Sequence, residues 1–199
     1  MTNNNLIPKW RFLVPLSLQM LIILTVPAQA IYTHYAGKTV VLQTMPVDPY
    51  DLLRGYSQTL SYDISRIDNL AKLPGGEILD SSKANLKNGT KFYVILESPQ
   101  NLSATPPQAW QAVAISRDRP TNLPDNRVAL AGVIKYSSIE YGLERYYLPE
   151  DKVADINREI SQLQQDSTAK RPFVVEIKVD NRGKSVASSL WIGKQNYRY

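Results

Sequence analysis

Hydrophobic and polar positions follow three different rhythms along this chain. The first is an unbroken apolar run. From Phe12 to Gly37 there is no Asp, Glu, Lys or Arg, and the run is densest from Phe12 to Val26. About 20 such residues cross a bilayer as a helix, so residues 12–35 are expected to form a transmembrane helix. Trp10 and Tyr32 would stand about 33 Å apart on that helix, one near each membrane interface. Lys9 and Arg11 precede the run and hold that end in the cytoplasm. Residues 1–11 are then a cytoplasmic N-terminus and residues 36–199 an extracytoplasmic domain. Pro15 is compatible with a span because it lies near the helix end.

A cleaved signal peptide is the rival reading. Ala28-Gln29-Ala30 after Pro27 has the small-x-small form of a cleavage site. Cleavage after Ala30 would leave a secreted or periplasmic protein. A buried core helix fits less well, because the segment is apolar all round and opens the chain.

The second rhythm has a period of two. Residues 39–43, 56–64, 91–97, 109–117, 127–137, 173–179 and 185–192 each read as strands. Leu60, Tyr62 and Ile64 share one face of the second of these. Gly132 inside the fifth suggests a bulge or a sharp coil. Pro74-Gly75-Gly76, Asn88-Gly89 and Asp180-Asn181-Arg182-Gly183 mark turns, the last closing a hairpin.

The third rhythm occurs once. Pro149-Glu150-Asp151 gives a proline start and an acidic first turn. Val153, Ile156, Ile160 and Leu163 follow at spacings of three and four. This predicts one helix packed on the sheet. The expected fold is therefore α+β and mainly antiparallel, with about seven strands as a small barrel or sandwich, plus the N-terminal helix.

Composition narrows the chemistry. The chain has 199 residues, enough for one domain with its own core. It has no Cys and one His, which excludes disulfides, thiol catalysis and multi-histidine zinc sites. No cofactor or metal is expected. The net charge of +5 is dispersed, with no basic stripe of the kind that binds nucleic acid.

Two polar runs stand out. Asp48, Asp51 and Arg54 cluster in Asp48-Pro49-Tyr50-Asp51-Leu52-Leu53-Arg54-Gly55 and can line a recognition cleft. Equally, the two carboxylates can cap turns while Arg54 pairs with one of them. In the second run, Tyr141, Tyr146 and Tyr147 precede Glu150. These tyrosines suit either a binding surface or core packing. A serine–lysine hydrolase would draw on Ser57 with Lys91 or Lys135, and a lysine base would need burial to lower its pKa.

The stretch Pro46-Val47-Asp48-Pro49-Tyr50-Asp51-Leu52-Leu53-Arg54-Gly55-Tyr56-Ser57-Gln58-Thr59-Leu60-Ser61-Tyr62 resembles the GDYxxLxY family of uncharacterised bacterial membrane-anchored proteins. Gly55, Leu60 and Tyr62 match the name motif, whereas Tyr56 and Ser57 stand where the family has Asp and Tyr. Tyr147-Leu148-Pro149-Glu150 is similar to a second landmark of that family, an aromatic-x-Pro-Glu run entering a helix. The resemblance implies membrane anchoring and no particular activity.

These readings converge on a non-enzymatic, membrane-anchored domain that binds a membrane protein or an envelope ligand. Its candidate binding residues are Asp48, Asp51, Arg54, Tyr62, Tyr147 and Glu150, and membrane lipid would contact residues 12–35. The alternatives are the serine–lysine hydrolase and a structural subunit that pairs an exposed sheet edge with a partner.

Overall fold

The computed structural model of the chain describes residues 9–44, 57–59, 61–79, 88–101, 103–136, 138–147 and 173–198. The helix expected from Pro149 lies outside them.

The apolar run folds as α1 (Trp10–Ala36), a 27-residue helix about 40 Å long. It is exposed along its length, with no part of its most apolar window buried. Among the described side chains Gln29 and Thr33 are the exceptions, and they lie four residues apart on one face. Gly37 then turns the chain into β1 (Lys38–Gln43).

The period-two segments build two antiparallel four-stranded sheets. The first has the order β1, β8 (Phe173–Val179), β9 (Ser185–Ile192) and β10 (Gln195–Arg198). The second has the order β4 (Gln111–Ser116), β3 (Lys91–Glu97), β5 (Arg127–Lys135) and β6 (Ser138–Glu140). A separate two-stranded pair joins β2 (Ser57–Thr59) to β7 (Arg145–Tyr147). Short helical turns at Asp63–Ser65 and Gly76–Leu79 flank α2 (Ile67–Leu70).

The sheets share one core but do not close into a barrel. Alternating residues of β3 (Phe92, Val94, Leu96) and of β5 (Val128, Leu130, Ile134) point inward. They join Val40, Leu42, Val175, Ile177, Leu190 and Ile192 of the first sheet in one cluster. Each such fully buried side chain contributes roughly 1.5–3 kcal/mol. Two backbone bonds stitch the sheets together: Trp110 N–H donates to Val41 O at 2.8 Å, and Ala131 N–H to Gly183 O at 2.9 Å.

Two expectations need correcting. Gly132 makes no bulge, because pairing of β3 with β5 runs unbroken through Phe92 and Gly132. The register shifts fall instead at Ile95/Leu96 against β4 and at Glu176/Ile177 against β9. Gly132 leaves room for a ring: a Cβ there would lie 3.1 Å from Tyr141 Cε1 and 3.3 Å from Phe92 Cζ. The strand expected over 56–64 ends early. Tyr62 forms an isolated bridge with Thr44, and the chain then coils as Ser65 N–H bonds to Tyr62 O at 2.9 Å. The alternation there reported burial of Tyr62 and Ile64, which a tight turn can also supply.

Candidate functional site

Of the six candidate binding residues, Asp48, Asp51, Arg54 and Glu150 lie outside the described residues. Tyr147 lies in β7, opposite Ser57. Tyr62 sits in the core at 0% exposure, and its hydroxyl donates to Leu143 O at 3.0 Å. Tyr141 behaves similarly, donating its buried hydroxyl to Ile64 O at 2.5 Å. Burial holds the Tyr141 phenol well above its ordinary 10.0, and the nearby Glu144 carboxylate adds to this. These two tyrosines tie the 62–65 turn to the 141–143 segment, with ring in the core and hydroxyl on a carbonyl.

The lysines considered as a hydrolytic base do not suit that role. Lys135 pairs with Glu140 at 2.5 Å on the surface. That hydrogen bond and charge raise its pKa above 10.5, the opposite of what a base needs. Lys91 is exposed. Among the described residues, no group of three or more His, Cys, Asp or Glu side chains could hold a metal ion.

The better-built site was not evident from the sequence. It is a cleft of about 580 Å³ between the outer face of β1 and β8 and the loops flanking β3, β4 and β5. Its floor is Trp110, which is only 8% exposed. The Lys38 ammonium lies 5.8 Å from the Trp110 ring centroid and also donates to Asp125 O. The aromatic face and the carbonyl together hold the cation in place.

Glu176 supplies the wall. Its outward position follows from the alternation of β8, in which Val175 and Ile177 on either side point into the core. One carboxylate oxygen accepts from Ser189 Oγ at 3.0 Å and the other from Trp191 Nε1 at 2.8 Å. Both donors come from β9, where the register shifts beside Glu176. With both oxygens engaged, the carboxylate is fixed in orientation and still has acceptor capacity.

The rim carries three exposed carboxamides, Asn101, Gln108 and Asn126. Asn126 donates to Glu97 Oε1 at 3.1 Å, and Glu97 in turn pairs with Arg127 at 3.0 Å. The cleft thus joins an aromatic floor, one rigid acceptor, one held cation and several groups that both donate and accept. Such a set can both donate to and accept from hydroxyl groups.

A third region links helix and domain. Asp180, 6% exposed, opens the β8–β9 turn. Its Oδ1 accepts from the amides of Arg182 and Lys184 at 2.8 and 2.9 Å, and its Oδ2 accepts from Thr33 Oγ1 of α1 at 3.1 Å. Gly183 completes the turn at φ 80°, and a Cβ there would lie 3.0 Å from both Ala129 O and Tyr93 Cε1. The turn signal was legible in the sequence. Its tie to Thr33, across 147 residues, was not.

No curated protein and no solved structure matches the chain significantly. A family model described as GDYXXLXY protein matches residues 19–190, most of the chain. The chain therefore belongs to the GDYXXLXY protein family.

Proposed function

We propose that this protein is a single-pass, membrane-anchored binding module whose extracytoplasmic domain takes a hydroxyl-rich envelope ligand, such as a glycan segment, in the Trp110 cleft. The observation that carries the anchor is the contrast within α1. Among its described side chains the apolar ones are exposed, and the covered Gln29 and Thr33 meet the domain through polar bonds. An apolar helix with no protein against it is stable when lipid covers it. Lys9 and Arg11 orient its N-terminus to the cytoplasm. Membrane lipid is then the first partner of the chain.

The ligand reading rests on Glu176, whose carboxylate is aimed outward and held by two donors beside an aromatic floor. The absence of Cys makes the topology simple to test. A single cysteine placed by Lys194→Cys in the domain should react with a membrane-impermeant maleimide added outside cells or spheroplasts. One placed by Asn3→Cys should react only after permeabilisation. The reverse pattern would overturn the orientation. For the cleft, calorimetry of the detergent-solubilised full chain against envelope oligosaccharides should give saturable binding that Glu176→Gln weakens about tenfold, or about 1.4 kcal/mol. Equal affinity in both proteins would remove the cleft from the reading.

A further inference from the structure

The β8–β9 turn is fixed against the end of α1. Lys184 Nζ donates to Gln29 Oε1 at 3.0 Å, and Asp180 accepts from Thr33. Gln29 lies just past the densest part of the apolar run, which ends at Val26. On a spanning helix, polar residues at that position stand among the lipid headgroups. The inference here rests on that anchored reading of α1.

Beside the turn is a second cleft of about 520 Å³, on the outer face of the second sheet. Its floor includes Tyr93, Ala131 and Val133, the half-buried outward residues of β3 and β5. Its walls carry Lys91, Lys135, Arg182 and Lys184 against one acid, Glu140. Glu140 is engaged by Lys135, so Lys91, Arg182 and Lys184 set the charge of the cleft. Next to Lys135, Tyr136 is 87% exposed, and tyrosine beside lysine is the composition of a membrane interface.

We infer that this cleft binds the phosphate headgroup of an anionic phospholipid. Arg182 offers a planar fork of donors, and Lys91 and Lys184 add compact positive charge. The apolar floor suits the glycerol and first acyl carbons that join the phosphate. A soluble phosphate compound shares the phosphate but has no acyl carbons for that floor. The turn itself is rigid, since Asp180 holds the amides of Arg182 and Lys184.

The test is native mass spectrometry of the full chain in detergent, with phosphatidylglycerol or phosphatidylcholine added. The expected result is selective retention of phosphatidylglycerol. At roughly fivefold per cation, the double variant Arg182→Gln/Lys184→Gln should weaken retention about 25-fold. Lys91→Gln alone should weaken it about fivefold, and Lys194→Gln, outside the cleft, should leave it unchanged. All four side chains are exposed, so the fold tolerates these changes. Equal retention in the wild type and the double variant would overturn the inference. So would displacement of the lipid by millimolar inorganic phosphate, which would make the ligand a soluble anion. Carbonate extraction of membranes from the same cells separates the two readings. Full-length protein in the pellet without lipid selectivity sinks the headgroup site alone, whereas release of the domain sinks the anchor on which it rests.

Discussion

The two clefts lie toward opposite ends of β5 and differ in charge. The cleft ahead of β5, floored by Trp110, is lined by Asp125 and Glu176 with a single lysine, Lys38. The cleft along its later residues carries four cations and one acid. They differ also in how their charges are held. Glu176 is locked by Ser189 and Trp191 and Lys184 is held by Gln29, whereas the Arg182 guanidinium projects from a turn whose backbone Asp180 fixes. A fixed acceptor selects a ligand by the geometry of its hydrogen bonds. Cations carried on a rigid turn select by charge, with less demand on shape. The same hairpin, β8–β9, supplies both kinds of group.

Trp110→Ala should break this comparison with the largest effect. Removing a tryptophan that is 8% exposed should cost about 3–5 kcal/mol by denaturant titration. It should abolish binding in the first cleft while leaving lipid retention in the second intact. Asp180→Ala should act on the other side. It strips three hydrogen bonds from a buried turn, with an expected loss of about 1–3 kcal/mol, and lipid selectivity should fall with it. A change in stability without a change in lipid retention would show that the turn does not position Arg182 and Lys184.

Alkaline pH should sharpen the comparison by loosening the core beside the second cleft, which Tyr141 lines. Tyr141 titrates well above 10.0 in the folded chain, so above that pH the unfolded phenol loses its proton first. The folded state then binds more protons than the unfolded state, and stability falls as pH rises. The slope for this one group approaches about 1.4 kcal/mol per pH unit beyond pH 10. Well below pH 10 the group contributes no pH dependence. Tyr141→Phe should remove that slope, at a pH-independent cost of about 1–2 kcal/mol for the lost bond to Ile64 O. An unchanged alkaline slope in this variant would assign it to other tyrosines. The smallest effect belongs to Lys194→Gln, an exposed residue in neither cleft, which should change stability by less than about 0.5 kcal/mol.

Much of the fold was legible because strand signals are local. Residues 91–97, 173–179 and 185–192 read as strands at the bounds the structure gives, since alternation of Val, Ile and Phe with polar residues reports a half-buried sheet. The three-residue β6 and β7 and the four-residue β10 escaped because so few residues carry no period. Whether the strands would form a barrel or a sandwich was not legible, because closure depends on pairing between strands distant in sequence. The clefts were less legible still. Glu176 reads as an ordinary outward residue of a strand, and only the register shift opposite it brings Ser189 and Trp191 into reach. Tyr62 shows the converse. A tyrosine in a conspicuous motif looks the same in sequence whether its ring faces a ligand or fills the core. Here it fills the core.

In the anchored reading we propose, both clefts take their setting from α1, so retention of that helix is the point to test first. The direct measurement is the intact mass of the native protein after alkaline carbonate washing of membranes. Full-length protein of 22.5 kDa in the pellet is the expected result. A soluble species beginning at Ile31 would contradict it, because cleavage after Ala30 removes the membrane span and parts Gln29 from Lys184.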